Sequence, residues 1–126
     1  MEKPLAFIIE DDKNLALAFA EALEEAQYQV EIINDGQTAL DRLATTTPAT
    51  IVLDLHIPYV KGANVLHYIR SNERLSNIRV IVATADDQEA SMLDNLANLV
   101  LLKPIGYQQL RDLASRLKPR TGQLGG

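Results

Sequence analysis

The chain has 126 residues, of which 47% are hydrophobic and 23% charged, and this fits one globular domain rather than a disordered segment. Its formal net charge of −5 argues against a nucleic-acid-binding face, and the absence of cysteine excludes disulfides and thiolate metal sites. The apolar run after Lys3 is too short for a signal peptide and nothing approaches a membrane span, so we expect a cytoplasmic protein.

Five segments of the chain have the length and composition of β-strands. Four of them are apolar almost throughout, which is typical of strands buried on both faces of a parallel sheet. These four are Leu5–Ile9, Thr50–Leu53, Arg79–Thr84 and Leu99–Leu102. In Gln29–Ile33, by contrast, Val30 and Ile32 alternate with polar residues, which favours a half-exposed strand at the edge of the sheet.

Between and after these strands, apolar residues recur at three- and four-residue spacing, which predicts amphipathic helices. The first helix is defined by Leu15, Ala18, Phe19, Ala22, Leu23 and Ala26, and the second by Ala39, Leu40, Leu43 and Ala44. The third is defined by Val65, Leu66 and Ile69, and the last by Leu110, Leu113, Ala114 and Leu117. A short fourth helix is expected from about Asp87 to Asn95, with Ala90 and Leu93 inward. Residues 118–126 are expected to form a flexible tail or the stub of a linker.

Strands and helices alternate along the chain. This order predicts a three-layer α/β sandwich in which a five-stranded parallel sheet carries five helices on its two faces. The carboxyl ends of parallel strands meet at one crevice, where open α/β sheets bind their ligands. Residues at those ends are therefore the candidates for a functional site.

The edge strand Gln29–Ile33 ends in an ordinary turn, Asn34-Asp35-Gly36, whereas the other four strands end at residues suited to phosphate chemistry. These residues are Glu10 and Asp11, Asp54, Thr84 and Lys103. Taken singly, each has a structural explanation: an acid after a strand often caps the next helix, threonine is common in strands, and a terminal lysine is usually a solvated charge. The expected convergence of all four strand ends makes a shared site the better interpretation.

This set suits transfer of a phosphoryl group to a carboxylate. A carboxylate such as Asp54 can act as a nucleophile toward phosphorus, but both reactants are anionic, so a divalent cation has to neutralise them. Mg²⁺ prefers oxygen ligands, which Asp11 and Asp54 can supply, while Glu10 can hold a bound water. Lys103 adds a compact positive charge, and the Thr84 hydroxyl can donate a hydrogen bond to a phosphoryl oxygen.

The same stretches resemble the receiver domain of two-component response regulators, and in particular chemotaxis response regulators. The matching stretches are Phe7–Asp12, Asp54–Pro58 with Gly62, Val80–Ala85 and Leu101–Pro104. The separations agree as well, since Asp11 and Asp54 are 43 positions apart, and Asp54 and Thr84 are 30 apart. The resemblance covers residues 4–117, as a single receiver domain, and implies a flavodoxin-like fold with strand order 2-1-3-4-5.

The resemblance also implies roles for these residues. Asp54 would accept a phosphoryl group from a sensor histidine kinase or a phosphotransfer protein, and Thr84 and Lys103 would bind that group. The implied ligands of Mg²⁺ are Glu10, Asp11, Asp54 and the backbone carbonyl of His56. Such a domain is not otherwise an enzyme, because it catalyses only its own phosphorylation and dephosphorylation, and it acts on a downstream protein target without binding nucleic acid or membrane directly. The Lys103–Pro104 peptide bond is expected to be cis.

Two features depart from the pattern of that family. Three residues before the lysine, where the family usually carries Tyr, Phe or His, this chain has Val100. Thr84 and Lys103 are 19 positions apart, a few fewer than usual, so the fourth helix or the loop after it is shortened. Both changes affect the surface of the fourth helix, fifth strand and fifth helix, through which the family transmits its signal and through which we expect any homodimer to form.

Two other functions remain open from the sequence. A pseudo-receiver would keep the fold as a protein-interaction module that is independent of phosphorylation. A haloacid-dehalogenase-like phosphatase is a weaker alternative, because that family needs an acid two residues after the nucleophile, where this chain has His56. His56 and Asp86 occupy family-variable positions and could tune dephosphorylation, whereas His67 is expected on the surface. With no second domain evident, we expect a stand-alone receiver or a segment of a longer protein.

Overall fold

The computed structural model describes residues 2–119 and contains the five predicted strands and the five predicted helices. The strands are β1 Leu5–Ile9, β2 Gln29–Ile33, β3 Thr50–Leu53, β4 Arg79–Thr84 and β5 Leu99–Leu102. The helices are α1 Lys13–Glu25, α2 Gly36–Leu43, α3 Gly62–Ser71, α4 Asp87–Leu93 and α5 Tyr107–Leu117. The strand bounds agree with the sequence prediction, whereas α4 ends before the predicted Asn95 and a 3₁₀ helix at Glu73–Leu75 was missed. Of the predicted tail, residues 120–126 lie outside the described residues.

The five strands form one parallel sheet in the order β2-β1-β3-β4-β5, which confirms the predicted order. Strand β3 lies in the middle, and all four of its residues are buried. Strand β2 forms one edge and is only partly buried, as its alternating pattern predicted. The residues that follow β1, β3, β4 and β5 therefore stand side by side along one edge of the sheet.

The sheet is covered on both faces by separate apolar clusters, because successive strand residues point to opposite sides. The cluster under α2, α3 and α4 includes Phe7, Ile51, Leu53, Val80, Leu43, Leu66 and Leu93. The cluster under α1 and α5 includes Ile8, Val52, Ile81, Phe19, Leu23 and Leu110. Burying each such side chain contributes roughly 1.5–3 kcal/mol, so these two clusters hold the three layers together. Within residues 2–119 no helix has both the length and the apolar character needed to cross a membrane.

Three helices are capped at their start by an aspartate that lies two or three residues after a strand. Each carboxylate accepts a hydrogen bond from a backbone N–H in the first turn, and such caps contribute about 1 kcal/mol each. The pairs are Asp12 with Leu15 (3.0 Å), Asp35 with Thr38 (2.7 Å) and Asp86 with Glu89 (3.0 Å). The predicted turn at Asn34-Asp35-Gly36 is therefore the capped start of α2, with Gly36 as its first helical residue. These caps fix where the chain leaves the carboxyl edge of the sheet.

Candidate functional site

The loop between β3 and α3 places Asp54 at the carboxyl end of the central strand. The Asp54 amide donates a hydrogen bond to the Ile9 carbonyl (3.0 Å), which continues the pairing of β3 with β1. Farther along, the Gly62 amide donates to the Leu55 carbonyl (3.0 Å). A Cβ atom on Gly62 would lie 2.3 Å from the Asp54 carbonyl oxygen, so only glycine lets α3 begin this close to the loop.

The middle of this loop turns sharply around an exposed tyrosine. The Val60 amide donates to the Pro58 carbonyl (2.9 Å), and Tyr59 between them has a φ of 71°, which makes a γ-turn. The Gly36 amide, at the start of α2, donates to the same Pro58 carbonyl (3.1 Å), and a Cβ on Gly36 would lie 1.9 Å from the Val60 carbonyl oxygen. Backbone contacts with α2 and α3 thus fix the loop that carries Asp54.

Three carboxylates and one ammonium group converge at this edge of the sheet. The Lys103 Nζ lies 2.8 Å from Glu10 Oε1 and 3.2 Å from Asp54 Oδ2. Glu10 and Asp54 are only 2% and 6% exposed, whereas Asp11 is exposed. The structure therefore brings together residues from β1, β3 and β5 that the sequence separates by up to 93 positions.

The buried charges perturb one another. Burial raises the pKa of the Glu10 carboxyl from its ordinary value of 4.5 to about 7, although the hydrogen bond from Lys103 opposes the rise. Burial of Lys103 would lower its pKa, but the hydrogen bond to Glu10 and the charge of Asp54 outweigh that effect and raise the pKa. Lys103 therefore stays charged while Glu10 can hold or release a proton near neutral pH.

The Asp54 carboxylate is held through both of its oxygens. Oδ1 accepts a hydrogen bond from the His56 amide (3.0 Å), and Oδ2 pairs with Lys103. The Lys103 amide donates to the carbonyl of the fully buried Thr84 (2.8 Å), so a main-chain hydrogen bond holds the lysine beside the threonine. The Lys103–Pro104 peptide bond is cis, which confirms the expectation from the sequence.

One supporting residue was missed in the sequence. The Asn34 side-chain amide donates to the Glu10 carbonyl (3.1 Å), and the Glu10 amide donates to the Ile33 carbonyl (2.9 Å). Strand β2 therefore helps to hold Glu10, although its end was interpreted only as a turn. The sequence did contain a signal for this contact. Strand β2 is next to β1 in the predicted strand order, and it is followed by Asn34, whose side chain can donate and accept hydrogen bonds.

The donor set at this edge fits a small divalent cation. Glu10, Asp11 and Asp54 each offer a carboxylate oxygen, and these oxygens lie within 4.8 Å of one another. With all three ionised, their formal charge of −3 is only partly balanced by Lys103, which leaves −2 for a cation to neutralise. All-oxygen ligands and a partly open position are what Mg²⁺ and Mn²⁺ prefer.

Val100, which stands where the family usually carries an aromatic residue, lies away from the carboxylates. Val100 is half-buried in β5 and lines a surface notch of about 360 Å³ between α4 and β5. The Tyr107 hydroxyl donates a hydrogen bond to the Glu25 carboxylate and lies 3.3 Å from the Glu21 carbonyl oxygen, both on α1. Tyr107 thus packs against α1, on the opposite face of the sheet from the α4 notch, and cannot occupy the space beside Val100.

The two histidines of the chain lie in different surroundings. His67 is exposed on α3, as predicted. The His56 ring faces α4, with Nε2 at 3.6 Å from Asp86 Oδ2 and 3.5 Å from Glu89 Oε2. Glu89 was not singled out in the sequence, because its proximity to His56 depends on how α4 packs beside the β3–α3 loop.

Comparison with known proteins gives the same fold and the same family. The family model for the response regulator receiver domain matches residues 6–115. A curated relative, the probable methanogenesis regulatory protein FilR2 of Methanothrix harundinacea, is 31% identical over 129 residues, which cover 93% of this chain and 83% of that protein. Other curated relatives are longer, and the chain spans about half the length of several response regulators and 12% of a sensor histidine kinase.

Two solved structures extend the comparison. The phosphorylated cyanobacterial phytochrome response regulator RcpA is 26% identical with a TM-score of 0.77, and the match covers 93% of this chain and 91% of that one. The Mn²⁺-bound form of the response regulator Rcp1 is 25% identical with a TM-score of 0.76, over 90% of this chain and 91% of that one. With this fold and the family match over residues 6–115, the chain belongs to the receiver domain family of response regulators in two-component signalling.

Proposed function

We propose that this receiver domain accepts a phosphoryl group on Asp54 and relays a signal to a protein target. The donor is the phosphohistidine of a sensor histidine kinase or a phosphotransfer protein, in the cytoplasm, and the receiver unit spans residues 4–117. The observation that carries the proposal is the Lys103 ammonium between two buried carboxylates, 3.2 Å from Asp54 and 2.8 Å from Glu10. Burying charged side chains is costly, and here one ammonium group faces two carboxylates, so their charges are not fully neutralised. Such an arrangement fits a site that binds charged ligands.

The geometry suggests how the residues divide the reaction. An Asp54 carboxylate oxygen attacks the phosphorus atom, and the bond from phosphorus to the donor nitrogen breaks, so that the electron pair of that bond leaves with the imidazole. The His56 amide and Lys103 fix the plane of the carboxylate before attack. Lys103 then remains as a positive charge for the phosphoryl oxygens, and the Thr84 hydroxyl, at the end of β4 next to β3, would donate a hydrogen bond to them.

Glu10, Asp11, Asp54 and the His56 carbonyl are the proposed ligands of Mg²⁺. When bound, Mg²⁺ would supply the positive charge that offsets repulsion between the incoming phosphoryl group and the carboxylates. The presence of Mn²⁺ in the Rcp1 structure supports a divalent cation in this family. The Glu10 carboxyl, with its raised pKa, would lose its proton more readily once a cation is present.

The complete carboxylate, threonine and lysine set argues against a pseudo-receiver that has lost its chemistry. The output surface is less typical, because Val100 stands where an aromatic residue usually moves. Met92 and Leu102 are 80% and 52% exposed on the face of α4 and β5. We propose that this face, together with α5, contacts the downstream target or a second copy of the chain.

Mass spectrometry of the intact protein tests the proposal. Incubation with Mg²⁺ and acetyl phosphate should add one phosphoryl group, with acetate as the leaving group, and mild base should remove it, as expected for an acyl phosphate. Asp54→Asn should abolish this gain while far-ultraviolet circular dichroism stays native. Asp41→Asn, at an exposed aspartate on α2, is the matched control and should label normally. Undiminished labelling of Asp54→Asn would refute the assignment.

A further inference from the structure

A second group of potential metal ligands lies at the rim of the phosphorylation site, formed by His56, Asp86 and Glu89. His56 belongs to the β3–α3 loop, whereas Asp86 and Glu89 belong to the cap and first turn of α4. One ligand atom from each side chain lies within 4.8 Å of the other two. Unlike the carboxylates around Asp54, this group contains an imidazole and is open to solvent.

The distances between these atoms are too long for hydrogen bonds and suit a shared cation. The His56 Nε2 is 3.6 Å from Asp86 Oδ2 and 3.5 Å from Glu89 Oε2, whereas an N–H···O hydrogen bond is about 2.7–3.2 Å long. Two ligands bound tetrahedrally to zinc, at about 2.0–2.2 Å each, are roughly 3.4 Å apart. The observed separations are therefore close to those that one tetrahedral ion imposes on its ligands.

The three ligand groups have no other strong partner within residues 2–119. The Asp86 carboxylate caps α4 through Oδ1, which accepts the Glu89 amide (3.0 Å) and leaves Oδ2 directed at His56. The Glu89 carboxylate and the His56 ring make no hydrogen bonds to other described residues, and no described lysine or arginine lies within 4.0 Å of Asp86 or Glu89. Two carboxylates that face one imidazole would each gain from a cation between them.

The backbone holds both parts of this group in place. The His56 amide donates to Asp54 Oδ1 (3.0 Å), and the Asp86 amide donates to the Thr84 hydroxyl (3.1 Å). The ligand side chains therefore project from backbone positions that the phosphorylation site itself fixes. Such anchoring reduces the conformational entropy lost when a ligand binds, which favours affinity.

We propose that His56, Asp86 and Glu89 form a binding site for Zn²⁺ or a related first-row transition metal, separate from the Mg²⁺ site. The imidazole sets the preference, since nitrogen ligands suit zinc, cobalt and nickel, whereas Mg²⁺ favours oxygen ligands alone. Three protein ligands leave a fourth position for water. The bound ion would connect the β3–α3 loop to the first turn of α4. Zinc binding here would not require that Asp54 accept a phosphoryl group.

Zinc titration of the chain by calorimetry, in the presence of millimolar Mg²⁺, tests this proposal. We expect one Zn²⁺ per chain, and His56→Ala and Glu89→Gln should each weaken binding by more than the roughly tenfold effect typical of losing an outer-shell partner. His67→Ala is the matched control, because His67 is the only other histidine and the chain has no cysteine. This variant should bind Zn²⁺ like the parent chain.

Paramagnetic Co²⁺ provides a second measurement that locates the ion. Amide resonances around His56 and at the start of α4 should broaden first, and those around His67 should not. Unchanged affinity in His56→Ala, weakened affinity in His67→Ala, or displacement of zinc by Mg²⁺ would each overturn the proposal. The absence of saturable zinc binding would also overturn it. None of these outcomes bears on labelling of Asp54.

Discussion

The raised pKa of Glu10 predicts that the metal-free protein loses stability as the pH rises toward neutrality. In the unfolded chain the Glu10 carboxyl releases its proton near pH 4.5, whereas in the folded protein it keeps the proton up to about pH 7. Between these values the folded state binds more protons, so the free energy of unfolding falls with increasing pH. Above about pH 7 the carboxyl is ionised in both states and the decline ends.

The size of the effect follows from the pKa values. A rise from 4.5 to about 7 corresponds to about 3 kcal/mol over the whole range. Between pH 5.5 and pH 8 the free energy of unfolding is expected to fall by about 2 kcal/mol. This range avoids the more acidic pH at which Glu25, Glu31 and Asp35, whose pKa values are lowered, begin to take up protons. This change is a large fraction of the stability of a typical domain.

Urea unfolding in EDTA, followed by far-ultraviolet circular dichroism, measures this change. Glu10→Gln is the control, because it keeps an oxygen that can accept a hydrogen bond from Lys103 but cannot ionise. The variant should lack the Glu10 contribution. If parent and variant lose the same free energy of unfolding between pH 5.5 and pH 8, Glu10 is not the group that titrates and the reasoning is wrong. Added Mg²⁺ should restore stability at pH 8.

Three further predictions concern the metal, the loop and the output. Asp11→Ala should weaken Mg²⁺ binding strongly, as measured by amide chemical shifts, yet leave the metal-free protein as stable as the parent or more so, because it removes a repelling charge. Gly62→Ala should lower the free energy of unfolding by at least about 2 kcal/mol in urea, since its Cβ would lie 2.3 Å from a backbone oxygen of Asp54. The phosphoryl mimic beryllofluoride should shift amides around Asp54 and Thr84 but change residues 99–107 little, because the β-branched Val100 cannot move between two positions as a tyrosine does.

Each of these predictions has a clear contrary result. Parent-like Mg²⁺ affinity in Asp11→Ala would remove that residue from the ligand set. Gly106→Ala is the matched control for the loop, because its Cβ would meet nothing closer than 3.8 Å and the change should cost less than about 1 kcal/mol, the difference between glycine and alanine at a helix N-cap. Equal losses in the two glycine variants would refute the steric argument. Shifts across residues 99–107 as large as those beside Asp54 would show that the β5 surface switches after all.

Periodicity and strand-end chemistry were sufficient to predict the fold and most of the site. Residues 51–53 are apolar at every position, which favours a strand buried on both faces, and the side-by-side order of the strands then brought Glu10, Asp54 and Lys103 together. Short apolar strands with polar residues at both ends have well-defined bounds, which is why the predicted strand bounds agreed with the structure. The end of α4 was less well defined because no glycine or proline marks it.

What the sequence did not predict depends on tertiary packing. Asn34 was interpreted as part of a turn, because its bond to the Glu10 carbonyl exists only once β1 and β2 are paired. Glu89 was not predicted as a site residue, because its distance from His56 is set by the position of α4 against the β3–α3 loop. The raised pKa of Glu10 likewise follows from burial at the sheet edge, which no local pattern of residues reports.

The β3–α3 loop is positioned by the buried side chains of Leu55 and Ile57 and by main-chain groups, through the carbonyls of Leu55 and Pro58 and the close approach of Gly62. Even the contact from position 56 to Asp54 is made by an amide, which every residue except proline provides. The side chains of residues 56 and 61 are therefore free to vary without displacing the nucleophile. A lineage of such domains can then diversify the shape and charge around the aspartate, and with them the choice of signalling pathway, while the placement of the reacting oxygen stays the same.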